Sequence, residues 1–265
     1  MEKSYFEQLI QDFIQLPEVE ALALGGSRAT GAADSQSDYD VYVYLNRPLT
    51  IEKRQAILGR YCHAIELNNT FWEPEDDAIL NDGITVELIY RDLSDFDRSL
   101  KSTLIDHLPG NSYSTCLWSN LLNTTILFDR TGQYRGLQQK YTLPYPEALR
   151  AAIIKRGRQL IQGYIPSYYG QIKKAVERED WVSINHRTAE LLASYFDVIF
   201  AVNRVPHPGE KRQLSQAVKL CRVLPANFAK GVENLIRTTG SDAGSVMAAL
   251  DQLITQMDVL LARAG

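Results

Sequence analysis

A short apolar run, Ala21-Leu22-Ala23-Leu24, stops at Gly25-Gly26-Ser27; after a ten-residue gap, Asp38-Tyr39-Asp40 opens a second β-prone run that reaches Leu45. Strand, glycine turn, then a strand headed by two acids is a demanding arrangement. The paired glycines let the backbone turn sharply and approach a ligand closely. Successive N–H groups after such a turn form an anion-binding concavity, and the Ser27 hydroxyl adds a donor. Asp38 and Asp40 stand two apart on a strand, so both project from one face. Two adjacent carboxylates repel unless a cation lies between them. Mg²⁺ suits the position, because it takes oxygen ligands and is shared between carboxylates and substrate phosphates. Tyr39, Val41 and Val43 then face the core. Gly-Gly-Ser alone reads as a turn and Asp-x-Asp alone as two solvated acids. A chance Gly-Ser-x10-Asp-x-Asp, however, arises on the order of 10⁻⁵ times per starting position.

The rest of the chain divides in two. Residues 1–140 hold 12 basic and 21 acidic residues, a balance of −9, while residues 141–265 hold 16 and 11, a balance of +5. The first half alternates strand-like and helical segments. Phe6, Leu9, Ile10 and Phe13 make a helical stripe; Thr50 caps a helix over 51–61; strands follow at 85–90 and 125–128, with a helix near 93–105 between them. Pro144 and Pro146 mark a boundary. Beyond it the periodicity predicts helices near 147–162, 167–178, 180–203, 215–223, 225–237 and 242–262, with Pro225 at a first helical position and Asp242 as a cap. The expected architecture is α+β: residues 1–143 form a mixed sheet with flanking helices, and residues 144–265 form an all-α bundle.

Composition excludes several classes. With 45% hydrophobic and 23% charged residues, the chain has the makings of a packed core. Its net charge of −4 is opposite in sign to that of a non-specific nucleic-acid binder. The most apolar stretch, Leu191–Val202, is short and interrupted by Ser194 and Asp197, so no membrane span is expected. Cys62, Cys116 and Cys221 match neither a disulfide framework nor a zinc pattern, which points to the cytoplasm. Neither a Walker sequence nor a dinucleotide-binding glycine fingerprint occurs.

The Gly26-Ser27 turn, the ten-residue gap and Asp38-x-Asp40 resemble the signature of the polymerase-β-like nucleotidyltransferase superfamily. The gap is similar to that of minimal and antibiotic nucleotidyltransferases. Phe71-Trp72-Glu73-Pro74, Tyr113–Trp118, Ile165–Tyr169 and Val202–Arg212 resemble the DUF4037-type proteins, in which a nucleotidyltransferase-like domain precedes a helical one. That superfamily carries a third carboxylate on a later strand. Glu87, an acid inside the apolar run Thr85–Tyr90, fills that place, with Glu66 as its rival.

The resemblance implies transfer of a nucleoside monophosphate from an NTP, ATP foremost, to an acceptor, with pyrophosphate leaving. Asp38, Asp40 and Glu87 are the implied catalytic and metal-binding residues; Glu87 is either a second-metal ligand or the base. Gly26 and Ser27 are implied to bind the β/γ-phosphates. Arg28 is expected either to reach a phosphate or to pair with Asp34 or Asp38. Among the basic residues of the helical half, Lys211 leads for the triphosphate, ahead of Arg204 and Arg212. A small-molecule acceptor is favoured over a protein or RNA, and a non-catalytic nucleotide-binding module is the alternative from a different class. Trp72 and Trp118 are either acceptor-pocket or core residues. Glu73, Asp76 and Asp77 form an acidic cluster that either solvates a loop or attracts a cationic acceptor. Of the four histidines, only His207, beside Pro208-Gly209, stands out.

Overall fold

The computed structural model describes residues 3–29, 37–71 and 73–264. The chain divides into two compact units, one running to Lys101 and resuming over Asn120–Leu143, the other formed by Ser102–Ser119 and the chain from Pro144 onward.

The first unit is built on a mixed six-stranded sheet. Its strands are β1 (Val19–Leu24), β2 (Tyr39–Leu45), β3 (Cys62–Asn69), β4 (Glu75–Leu80), β5 (Thr85–Asp92) and β6 (Thr125–Asp129), in the order β3-β4-β5-β2-β1-β6. Among the described strands only the central β2–β5 pair is parallel. Helix α1 (Tyr5–Gln15) starts at a capping box between Ser4 and Glu7 and buries Phe6, Leu9, Ile10 and Phe13. After a one-turn helix α2 (Gly26–Ala29), α3 (Ile51–Tyr61) starts at Thr50, whose hydroxyl accepts from the Lys53 amide as the sequence predicts. These apolar stripes pack with Val41, Val43, Val86 and Leu88 from one sheet face. The other face carries Asp40, Tyr42 and Tyr44 along β2, as period-2 alternation requires, with Asp38 just before the strand. It is covered at one end by Phe96 of α4 (Leu93–Leu104) and Tyr134 of α6 (Gln133–Tyr141), whose rings pack on Tyr44.

Strands β3 and β4 and the short helices α5 (Cys116–Asn123) and α6 were not expected. The acidic start of β4 reads as loop; it is held in the sheet because Asp76 is fully buried, accepting from Arg54 Nη1 at 2.9 Å, the Asn68 amide at 2.8 Å and Tyr90 Oη at 2.7 Å.

The second unit is helical: α7 (Glu147–Arg158) running on through a π-helical turn (Gln159–Gly163), α8 (Tyr168–Glu177), α9 (Trp181–Val202), α10 (Gln213–Leu220), α11 (Phe228–Thr238) and α12 (Ala243–Ala264). The Asp242 carboxylate accepts from the Ser245 amide at 2.9 Å, as a cap should. Pro225 is not a first helical residue. It lies in a turn whose carbonyl accepts from Phe228 N, and α11 begins at Phe228 after Asn227 in the left-handed region. Helix α12 is long and apolar enough by composition to cross a membrane, yet Val246, Leu250, Leu253, Ile254 and Met257 lie in the core with α9.

The segment Ser102–Ser119 is tied to this bundle by buried polar groups. The Ser114 amide and hydroxyl donate to the two oxygens of Asp197 at 3.0 and 2.6 Å. The Ser194 hydroxyl donates to the Asn111 carbonyl at 2.8 Å, and the His207 amide to Thr115 Oγ1 at 2.8 Å. Trp118 is 2% exposed against Tyr145, which makes it a core residue of this unit.

Candidate active site

Register brings the sequence-predicted acids together. Asp40 on β2 stands opposite Glu87 on β5 in the parallel pair, so their side chains share one face. With Asp38 two residues back on the same side, one oxygen from each of Asp38, Asp40 and Glu87 lies within 4.8 Å of the others, and all three residues are half-buried. Oxygens held about 2.1 Å from one small cation lie at most about 4.2 Å apart, so a slight rotation of the carboxylates closes the trio around an ion. Three hard anionic oxygens at a partly desolvated spot fit a divalent cation of the Mg²⁺ type.

The glycine turn abuts this trio. The Gly25 amide donates to the Asp40 carbonyl at 2.8 Å, lashing the turn to β2. Gly26 has φ +62°, and a Cβ there would meet Asp40 Oδ2 at 1.7 Å. A Cβ on Gly25 would meet Tyr42 Cε2 at 2.6 Å. Both glycines are thus demanded by the side chains of β2, and Ser27 follows at once on the same turn.

Arg28 takes a place that the sequence did not specify. Its guanidinium donates to the backbone carbonyls of Ser37 and Asp38, at 2.8 and 3.1 Å from Nε, and lies 3.9 Å from the centroid of Tyr39. Tyr39 stacks in turn on Phe6 of α1 at 3.7 Å. Arg28 therefore grips the backbone at the head of β2. Asp34, its other proposed partner, and Trp72 lie outside the described residues.

The acidic face continues beyond the trio. Glu87 is paired with Asp77 of β4, and Asp77 with Glu66 of the edge strand β3, so Asp40, Glu87, Asp77 and Glu66 form one row across four strands. Glu66, the rival third acid, is therefore two strands from Glu87. Glu75, on the same side of β4, has its pKa raised by burial and by the nearby Asp77, Glu73 and Glu66. The cluster foreseen at Glu73, Asp76 and Asp77 separates: Asp76 belongs to the buried pair with Arg54, Glu73 binds Arg91, and only Asp77 joins the row.

Arg91 was missed, although it carries the signal that exposed Glu87, a charge within an apolar strand. It is one-tenth exposed, donates through Nε and Nη2 to the two oxygens of Glu73 at 2.8 and 2.7 Å, and through Nη1 to Asn120 Oδ1 at 2.9 Å. Its guanidinium lies 4.3 Å from the centroid of Tyr42. Burial raises the Tyr42 pKa, and its phenol hydrogen-bonds with Asn120.

In the helical unit, Arg204 Nε donates to Glu147 Oε1, while Lys211 and Arg212 are exposed in the turn before α10. His207 is fully buried, with Nδ1 accepting from the Gly209 amide at 3.1 Å and Nε2 meeting no hydrogen-bond partner among the described residues; burial lowers its pKa to about 4. Asp197 is also buried, which raises its pKa to about 6 despite the two Ser114 donors.

Residues 6–108 match the nucleotidyltransferase domain family, and residues 113–212 match DUF4037, a domain of unknown function. Among solved structures, the chain is similar to a nucleotidyltransferase-like protein from Exiguobacterium sibiricum 255-15, at 12% identity and TM-score 0.46, covering 98% of this chain and 77% of that one. An aminoglycoside 6-adenyltransferase from Bacillus subtilis aligns at 8% identity and TM-score 0.30, covering 98% and 92%. The Thermotoga maritima CCA-adding enzyme aligns at 11% identity and TM-score 0.26, covering 100% and 86%. No curated protein matches the sequence.

Proposed function

We propose that this chain, whose residues 6–108 match the nucleotidyltransferase domain family, moves a nucleoside monophosphate from an NTP, ATP foremost, onto a hydroxyl of a small-molecule acceptor. The observation that carries the reading is the convergence of Asp38, Asp40 and Glu87 beside a glycine turn that has no room for a side chain.

Asp38 and Asp40 hold the divalent cation, with Mg²⁺ the ion of choice. Bound there, it neutralises charge on the triphosphate and on the departing pyrophosphate. The amides and hydroxyl of Gly26-Ser27 face the β- and γ-phosphates. Glu87 accepts the proton of the acceptor hydroxyl as its oxygen bonds to the α-phosphorus; the bond from that phosphorus to the bridging oxygen breaks, and pyrophosphate leaves with the electron pair. The row running from Glu87 to Glu66 gives the acceptor side of the face a negative character, which suits a neutral or cationic molecule better than a polyanion.

The test is transfer of α-labelled ATP, with Mg²⁺, into a size-fractionated extract, using wild type beside Asp40→Ala. Label in small molecules from wild type alone supports the reading. Label in protein or RNA moves the acceptor to those classes, and absence of label with all four NTPs overturns it.

A further inference from the structure

We propose that Arg91 is a positioning residue for this site: its buried guanidinium, acting through Tyr42, sets the place at which the Gly25-Gly26-Ser27 turn presents its amides to the triphosphate. The inference rests on the nucleotidyl-transfer reading above and assigns that site a support that the acidic signature does not contain.

A guanidinium taken almost wholly out of water is costly unless its donors are matched. Here they are. Glu73 takes two of them side by side and Asn120 a third, a planar fork that lysine cannot reproduce. The flat face is used as well, against Tyr42. Tyr42 is thus held through the face of its ring by the buried cation.

The edge of the Tyr42 ring occupies the volume where a Gly25 side chain would stand. On its other side, Gly25 is hydrogen-bonded to the Asp40 carbonyl. The turn is therefore clamped between the β2 backbone and an aromatic ring, and that ring is held in place from below by Arg91. Asp40 and Tyr42 are two apart on one strand face, so the element that carries a metal-binding carboxylate also carries the support of the phosphate turn. A ring that shifts by a fraction of an ångström carries Gly25 with it, and Gly26 directly follows.

A purely structural ion pair would contribute to stability and leave the turn alone. The two roles separate by experiment in the full chain. Wild type, Arg91→Lys and Glu73→Gln are compared by amide hydrogen exchange, thermal melting and affinity for Mg-ATP. Arg91→Lys keeps the charge and loses the fork; Glu73→Gln loosens the fork from its half-exposed end and covers the case in which Arg91→Lys does not fold. The expected result is exchange about tenfold faster at Gly25–Ser27 than in wild type, with β1 and β5 unchanged, and Mg-ATP affinity about tenfold weaker. Tyr42→Phe, which keeps the ring, should stay close to wild type at the turn. Folded variants with wild-type exchange at Gly25–Ser27, or with protection lost evenly across β1, β2 and β5, overturn the inference and leave the function standing. A wild-type chain with no affinity for any Mg-NTP overturns the function and this inference together.

Discussion

Gly26 and Asp40 exclude a side chain between them: Oδ2 of the aspartate lies 1.7 Å from where a Cβ of residue 26 would stand, and the glycine's φ of +62° is itself one that L-residues resist. Gly26→Ala should therefore incur two separate penalties. The backbone strain costs about 1–2 kcal/mol, and the methyl displaces Asp40, which should lower nucleotidyl transfer about a hundredfold or more. Gly132→Ala is the control. It has φ +79° with nothing within 4 Å of the added methyl, so it should lower the melting temperature comparably and leave transfer intact.

Metal binding is expected to follow the trio. Mn²⁺, followed by its paramagnetic effect on water relaxation, should bind wild type and lose at least about tenfold in affinity in Asp40→Asn and in Asp38→Asn, since each removes an anionic ligand. Glu87→Gln should still bind ATP and yet lose transfer. Unchanged Mn²⁺ affinity in all three variants would remove the metal from this site.

Asp197 and His207 give the helical unit opposing pH responses. The buried Asp197 has a folded pKa near 6, above its ordinary value, so the folded state holds the proton more tightly; stability present below about pH 4 is lost as pH rises towards 6. The buried His207 has a folded pKa near 4, below its ordinary value, so stability present above about pH 6.5 is lost as pH falls towards 4. The two responses therefore oppose each other between about pH 4 and 6. Melting curves should show Asp197→Asn gaining on wild type as pH rises through that window, because asparagine still accepts from the Ser114 amide without burying a charge. His207→Gln should shift the slope the other way. Parallel curves for all three proteins would refute the opposition.

Asp76 should matter for folding and not for chemistry. Asp76→Ala leaves the Arg54 guanidinium, 6% exposed, without its counter-ion and strands the Tyr90 hydroxyl. The expected loss is about 3–5 kcal/mol in urea unfolding. Asp77→Ala, on the half-exposed row, should change stability by less than about 0.5 kcal/mol.

The acids of the site were legible because their signals are local. Asp38 and Asp40 belong to one signature with the glycine turn, and Glu87 is a charge in a run of apolar residues. Their meeting was implied only by the family resemblance and could not be read from spacing, because the register of Asp40 with Glu87 depends on a parallel pairing between strands about forty residues apart. The helices beyond Pro144 could be read from periodicity, but the start of α11 at Phe228 and the grouping of Ser102–Ser119 with the bundle could not. Strand β4 could not: Glu75-Asp76-Asp77 looks solvated until Arg54, far back on α3, is found beside Asp76, and a buried ion pair between distant residues leaves no local trace. Arg28 illustrates the same limit. Its position after Ser27 was plain, but the contacts of its guanidinium with the Ser37 and Asp38 carbonyls arise only when the head of β2 is in place.

The two units are interleaved along the chain, and this bears on how the protein is made. A ribosome delivers Ser114 and Thr115 long before their partners, Asp197 and His207, which lie 83 and 92 residues downstream. Meanwhile β6 and α6, which complete the sheet unit, emerge directly after that still unpartnered stretch. The nascent sheet must therefore close over a loop whose own anchors have not yet been synthesised. No single cut in the chain separates the two units, because each holds residues from both sides of the other.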